Sequence, residues 1–306
     1  MPKPDQIPPS DFVKAQDLIK QASALQSAGK YEAAISCCDR ALKLRPRDPE
    51  AWSLKGEALR ALGDDAGAER CYLNAVEFNP GYVPALIALG FMHQRSGDFG
   101  AARDFLSRAI EAGPDIHMTW IYMSSILARF GRLHEALVYI DRALQLQPNY
   151  IDALNDKAVL MWQLKDHGSA LALFDQALRQ DPKDARIWLN RGGVYLDIMN
   201  LSEAMICYRR VLKLRPKHAG ALVNIGLVQD ARRRYKEALR YFDRALASDP
   251  SCKEAWNNKG STLMTVGRDA EAEQCFVKAL ELDPDFAMAR QALEEVHSRK
   301  KTQRMR

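Results

Sequence analysis

The sequence predicts an all-α chain, an α-solenoid of antiparallel helix pairs ending in a capping helix. Three observations predict it. Prolines recur at 46, 80, 114, 148, 182, 216, 250 and 284, each 34 residues after the last. Twelve residues before each stands an alanine: Ala34, Ala68, Ala102, Ala136, Ala170, Ala204, Ala238 and Ala272. A third small residue keeps the same spacing: Ala22, Gly56, Gly90, Ser124, Ala158, Gly192, Gly226 and Gly260. A period of this length marks a stacked array in which no unit buries its apolar face alone.

With the proline at position 32, eight units follow without insertion or deletion: 15–48, 49–82, 83–116, 117–150, 151–184, 185–218, 219–252 and 253–286. Before them, residues 1–14 hold four prolines in the first nine positions and predict an extended arm. Within each unit, positions 4, 8 and 11 share one helical face and define helix A; positions 20, 24 and 27 define helix B. Position 4 alternates between leucine (Leu18, Leu86, Leu154, Leu222) and tryptophan (Trp52, Trp120, Trp188, Trp256). Position 24 is bulky in Tyr72, Leu106, Ile140, Phe174, Tyr208, Phe242 and Phe276, with Cys38 as the exception. Small residues at 8, 20 and 27 let the helix backbones approach, and the bulky ones fill the space around them. Glycine at position 15 in five units suits the left-handed residue that ends helix A. The proline stops helix B. After Pro284 an A-type helix restarts without a B partner, which predicts a capping helix and basic tail over 287–306.

These residues resemble the tetratricopeptide repeat, whose pattern is Trp-Leu-Gly-Tyr-Ala-Phe-Pro at positions 4, 7, 8, 11, 20, 24 and 32. The match covers 15–286. It departs at position 7, where Lys55, Lys157, Arg191 and Lys259 stand, and at position 11, where His93 and Gln229 stand; these are expected to loosen packing locally. The resemblance implies a right-handed superhelix with helix A lining a concave groove. It also implies a non-enzymatic interaction scaffold that holds an extended peptide or protein segment.

If the core takes positions 3, 4, 7, 8, 10, 11 and 14 of helix A, positions 2, 5, 6, 9, 12 and 13 remain for the groove. In the third to fifth units these carry Ile87, Ala88, Phe91, Met118, Ile121, Tyr122, Val159 and Trp162. Grouped apolar residues on an outer face mark an interaction site; close packing of successive A helices is the competing explanation. Trp162 stands apart because the other four tryptophans all occupy position 4. Arg95 and Arg129, at position 13, flank this section and suit a carboxylate. From the fifth unit on, position 6 reads Asp156, Asn190, Asn224, Asn258, and position 5 adds Asn155 and Asn257. An Asn side chain pairs with both the N–H and the C=O of an extended backbone. A ladder of such amides would hold a peptide while tolerating varied side chains, at about 0.5–1.5 kcal/mol per bond. Inheritance by duplication without a role is the alternative. The ladder resembles the groove of the repeat domain in O-GlcNAc transferases, whose catalytic domain has no counterpart in this sequence.

Composition excludes several classes. The formal net charge is +5, but residues 287–306 alone hold six Lys/Arg against two Glu, so the body is near neutral. That argues against nucleic acid, which is bound by basic stripes along the fold. An RNA-reading helical-repeat protein is carried as the alternative, with a self-associating scaffold beside it, in which the proline-rich arm of one copy fills the groove of another. The clamp that related repeats use for acidic chaperone tails needs Lys and Asn at positions 5 and 9, Asn at 6, then Lys and Arg at 2 and 6. The first three units offer Ile19 and Ser23, Leu54, then Pro84 and Ala88, so that partner is not expected. Four of six cysteines share position 23, which suggests packing rather than ligation, and the six histidines lack companions at metal spacing. No cofactor, metal or catalytic set is expected. No apolar run reaches a membrane-spanning length and no secretory signal opens the chain; with unpaired thiols, this predicts a cytoplasmic protein. The run Arg232–Arg234 in "ARRRY" lies at an A–B turn, solvated or facing an acidic partner.

Overall fold

The computed structural model describes residues 8–304 and divides into two compact units, the first ending at Ala153 and the second beginning at Leu154. In the first unit the helices are α1 (Pro9–Ser27), α2 (Tyr31–Leu44), α3 (Pro49–Ala61), α4 (Asp65–Phe78), α5 (Val83–Ser96), α6 (Phe99–Ala112), α7 (His117–Arg129) and α8 (Leu133–Leu146). Helix α9 (Ile151–Gln163) crosses into the second unit, followed by α10 (His167–Gln180), α11 (Ala185–Asp197), α12 (Leu201–Leu214), α13 (Ala219–Ala231), α14 (Tyr235–Ser248), α15 (Lys253–Thr265), α16 (Asp269–Leu282) and α17 (Ala287–Arg304). Odd-numbered helices are A and even-numbered ones B; α17 restarts the A pattern without a B partner among the described residues. Within each unit every B helix packs on the A helix that follows it, and successive A helices also touch, as in α1 on α3 and α13 on α15. The arrangement is an α-solenoid of helix pairs. Of the extended arm expected over 1–14, residues 1–7 lie outside the described residues, and 9–14 are helical, the first turns of α1. Proline at the first helical position has its φ already set and no N–H to lose. Ala289 and Val296 of α17 are buried against Phe276 of α16.

The period has a clear steric basis. A Cβ placed on Gly226 of α13 would lie 2.4 Å from the ring of Phe242, itself fully buried on α14. Position 8 is therefore small because position 24 is large. The position-4 tryptophans tie each A helix to the preceding turn: Trp52, Trp120, Trp188 and Trp256 donate Nε1–H to the carbonyls of Pro46, Pro114, Pro182 and Pro250 at 2.8, 2.8, 3.0 and 3.0 Å. Arg290 does the same for Pro284 at 2.6 Å.

Position 7 corrects an expectation. Three of its four basic residues do not loosen the stack; they bridge it. Lys55 Nζ lies 2.6 Å from Asp39, Arg191 Nε 2.9 Å from Asp175 and Lys259 Nζ 2.7 Å from Asp243, each on the preceding B helix. The same cations sit 5.7, 5.5 and 5.6 Å from the rings of Trp52, Trp188 and Trp256. A long basic side chain covers apolar surface with its stem while its head finds a charge. At position 11, His93 stacks on Phe105 with centroids 5.4 Å apart and faces Glu69 at 3.4 Å, whereas the buried Gln229 leaves its Oε1 without a partner.

Five A–B turns place glycine in the left-handed region, as at Gly63 with φ 87°. Three consecutive turns of the second unit place Lys165, Met199 and Arg233 there instead, with φ 67°, 59° and 58°. That conformation costs an L-residue roughly 1–2 kcal/mol. Lys165→Gly, Met199→Gly and Arg233→Gly should each stabilise the fold by about 1 kcal/mol, seen as a higher urea midpoint at unchanged slope.

Candidate functional site

In the first unit, α1, α3, α5 and α7 surround a concavity of about 540 Å³ lined by Gln26, Tyr31, Glu57, Arg60, Tyr72, Ile87, Ala88, Phe91 and Tyr122 among others. Phe91 and Tyr122, both half-buried, meet with centroids 5.4 Å apart at 43°. Arg95, exposed, holds its guanidinium 5.8 Å from the Phe91 ring. The floor includes the Tyr72 hydroxyl, which is buried and makes no hydrogen bond. Burial pushes this phenol up to about 12, and the Arg60 guanidinium beside it opposes that without reaching hydrogen-bond geometry. Glu57 is open on one side, yet the surrounding wall strips enough water to raise its carboxyl, against the pull of Arg60. Neither Glu57 nor Arg60 forms an ion pair among the described residues. The two charges occupy positions 9 and 12 of the second repeat, 49–82, the positions Phe91 and Trp162 hold in theirs.

Several expected groove residues lie elsewhere. Ile121 is 5 % exposed, and Asn155 and Asn257 are 8 % and 6 %. All three stand at position 5, which is also buried at Ile19, Ser53 and Val223. Successive A helices touch, and position 5 is buried in these six repeats; Ile87, at the same position, is only half-buried and lines the concavity. Arg129 stacks 4.8 Å over Phe99, whose ring meets Phe130 at 5.6 Å, placing it at the A–B corner.

In the second unit the position-6 side chains Asp156, Asn190, Asn224 and Asn258 are all half-buried. Asn190 donates to Asn155 Oδ1 at 3.0 Å, and Asn155 donates to Asp156 Oδ1 at 3.2 Å. Asp156 thus terminates a chain of donors, a place that suits a group able only to accept. Asn257 approaches Asn258 Oδ1 at 3.5 Å and leaves its own Oδ1 without a partner. The Asn224 amide makes no side-chain hydrogen bond among the described residues.

Trp162 bridges two A helices. Its Nε1–H donates to Asp197 Oδ2 at 2.8 Å, and its ring lies where a side chain on Gly193 would be, 2.4 Å from an ideal Cβ. Gly193 is thus needed as a seat for the indole. Gly193→Ala should displace Trp162, because that ring is half-buried and free to swing outward. The check is the Trp162 indole N–H resonance, assigned with Trp162→Phe, which should move to a solvent-exposed position while the melting temperature changes little.

All six cysteines are free, five of them buried, and burial pushes Cys38 up to about 12. Such thiols are unreactive. Among the described residues no group of His, Cys, Asp and Glu could hold a metal ion, and no helix is long and apolar enough to cross a membrane.

Helix pairs of 34 residues in unbroken register, with open A faces, define a class of helical-repeat proteins. One tetratricopeptide repeat model matches residues 19–83, 90–151 and 223–287, and a second matches 127–188 and 161–224. The chain belongs to the tetratricopeptide repeat family, whose fold commonly serves as a protein-interaction scaffold and is typically non-enzymatic. Among solved structures it is similar to a tetratricopeptide repeat protein from Parabacteroides merdae, with TM-score 0.70 and 17% identity over 81% of this chain and 98% of that one. Pseudomonas aeruginosa pilF gives 0.63 and 15% identity over 69% and 96%. The APC/C hetero-tetramer Cut9-Hcn1 gives 0.68 and 16% identity over 91% of this chain, which spans 55% of that chain. Likeness at this identity concerns the fold alone. No curated protein matches the sequence.

Proposed function

We propose that the chain is a non-enzymatic scaffold that holds extended segments of a partner protein on its open A-helix faces. The observation that carries this reading is the concavity of the first unit, where the paired rings of Phe91 and Tyr122 stand half-buried beside a buried hydroxyl without a partner. Concave sites with an apolar lining and few convergent polar groups are the usual places for a ligand. In the second unit, Asn190, Asn224 and Asn258 contact the partner's backbone. Among the described residues Asn224 makes no side-chain hydrogen bond, while Asn190 has one donor engaged by Asn155. The partner is a protein; the near-neutral body gives no support to RNA, and the first three repeats carry no clamp for acidic chaperone tails.

A proteome-derived peptide display library tests this against three proteins: the parent, Asn190→Ala/Asn224→Ala/Asn258→Ala, and Phe91→Ala/Tyr122→Ala. The expected result is a defined set of segments enriched by the parent and lost by at least one variant, with helicity by circular dichroism unchanged. Identical enrichment by all three would show that neither face binds. Enrichment of the chain's own first residues, with a molecular mass doubled in light scattering, would point to self-association instead.

A further inference from the structure

The near-neutral body carries its charge unevenly. From Ala204 to Gln229 the chain holds five Lys/Arg and no carboxylate: Arg209, Arg210, Lys213, Arg215 and Lys217. All five lie on α12 or in the turn that follows it. The helix buries Ala204, Met205, Cys207, Tyr208 and Val211. Off that line, Arg209, Lys213, Arg215 and Lys217 are exposed and Arg210 is half-buried. None of the five forms an ion pair among the described residues. Local structure does not account for them. A helix C-terminus favours cations within its last turn, which covers Lys213 and Arg215 but not Arg209 and Arg210. Arg45, which holds in the first repeat the place of Arg215 in the sixth, pairs with Asp48 at 2.8 Å. Where Asp48 stands, the sixth repeat has His218, whose Nδ1 accepts the Ala221 N–H at 3.2 Å. The fifth, seventh and eighth repeats put Asp181, Asp249 and Asp283 at the place of Arg215.

Carboxylates return on both sides of this strip, and each keeps its charge. On α10, Asp175 pairs with Arg191 at 2.9 Å, and on α14, Asp243 pairs with Lys259 at 2.7 Å, both cations coming from A helices. In the flanking turns Asp184 pairs with Arg186, while Asp181 and Asp249 accept the backbone N–H of Lys183 and Ser251. Arg179, Lys183 and Arg244 stand among them. Glu203 and Glu237 lie in the first turns of α12 and α14, at the opposite end of those helices. The flanks are thus mixed in sign, and the wholly positive strip is one helix wide.

That width selects the occupant. A nucleic-acid duplex or an anionic bilayer would extend over both flanks and set its charges against Asp175, Asp181, Asp243 and Asp249. Single-stranded nucleic acid is narrow enough but is held by rings on which its bases stack. Tyr208, the aromatic residue of α12, is fully buried. A protein segment needs no such ring. Arg209 and Lys213 are four residues apart, a rise of about 6 Å along the helix. Carboxylates at alternate residues of an extended segment are about 6.6 Å apart and point the same way. We propose that Arg209, Arg210, Lys213, Arg215 and Lys217 form a docking strip for an extended acidic segment of a partner protein. The strip is separate from the A-helix faces, so a partner can occupy both.

The test uses fluorescence anisotropy with four labelled probes: a short peptide alternating Glu and Ser, its Gln counterpart, a single-stranded oligonucleotide and a DNA duplex. Phosphatidylserine vesicles, read by co-sedimentation, are the fifth. The parent should bind the Glu peptide about tenfold or more tighter than the Gln peptide and either nucleic acid, and should not sediment with the vesicles. Arg209→Gln/Arg210→Gln/Lys213→Gln should lose that binding by a similar factor with helicity unchanged. Lys213→Gln alone, at an exposed residue without a partner, should keep the fold and lose about threefold or more. Lys300→Gln/Lys301→Gln/Arg304→Gln removes the same charge from the basic tail and should bind as the parent does, as should Asn190→Ala/Asn224→Ala/Asn258→Ala. The proposal is overturned if the parent ignores the Glu peptide, prefers a nucleic acid or sediments with the vesicles. It is equally overturned if the α12 variants bind as the parent does, or if the tail variant loses as much as they do, since net charge and not the strip would then be at work.

Discussion

Phe242→Ala should destabilise the protein by about 3–5 kcal/mol, the usual cost of removing a buried aromatic ring. Phe242 is fully buried and packs with Leu222, Val223 and Leu246 between α13 and α14. Gly226→Ala, on the facing helix, should be unfavourable by roughly 1–3 kcal/mol. Two effects compete there. Alanine gains up to about 1 kcal/mol of helix propensity over glycine. Against that, its methyl would sit 2.4, 2.8 and 2.9 Å from three ring atoms of Phe242, which has no room to retreat. The clash wins. In the Phe242→Ala background the ring is gone and only propensity remains, so Gly226→Ala should become stabilising. Urea denaturation of the four proteins gives the coupling directly. If Gly226→Ala keeps one sign in both backgrounds, the pairing of positions 8 and 24 does not set the helix spacing. Gly193 offers the control: an equal 2.4 Å approach, but to the movable ring of Trp162.

That pairing was legible in the sequence because it repeats. Eight prolines 34 apart locate every B-helix end, and the alternation of small and bulky residues gives the faces that meet. What repeats with a change of partner was not legible. Position 5 reads as an open face in a single helix, yet Ile121, Asn155 and Asn257 are buried there, and contacts between successive A helices, as between α5 and α7 or α13 and α15, are not visible in one helix. Lysine at position 7 looks like a defect until Asp39 or Asp243 on the preceding helix is seen beside it. The signal was present, but its complement lay 16 residues upstream, in the preceding repeat. Trp162 was conspicuous as the tryptophan off the framework, yet its acceptor Asp197 and its seat Gly193 lie on the next A helix. In the concavity, Phe91 and Tyr122 could be found from apolar character. Glu57 and Arg60 could not, since a charge on a helix face ordinarily means solvent.

Glu57 makes the chemistry of the bound segment measurable. Its carboxyl already titrates above the ordinary value of 4.5, chiefly because the concavity desolvates it, with Arg60 pulling the other way. A raised acid favours its protonated form, so its contribution to the free protein is full below the ordinary value and is lost as pH rises through the folded value. A ligand that covers Glu57 with apolar atoms removes more water and raises the carboxyl further, so binding takes up a proton. Affinity should then strengthen as pH falls from 7 towards 5. A ligand that brings Lys or Arg to Glu57 would do the reverse: it would favour the ionised form and weaken as pH falls. Ile87, Ala88, Phe91 and Tyr122 around the carboxyl favour the apolar ligand. For a segment selected by display, the expected result is tighter binding at pH 5 than at pH 7, with the difference abolished in Glu57→Gln. Phe91→Ala/Tyr122→Ala should lose about tenfold or more at both pH values, because the two paired rings supply much of the buried contact. An affinity that falls towards acid, and becomes level in Glu57→Gln, would assign a basic side chain to the pocket. An affinity independent of pH in both proteins would place the segment away from Glu57 and overturn the site as drawn here.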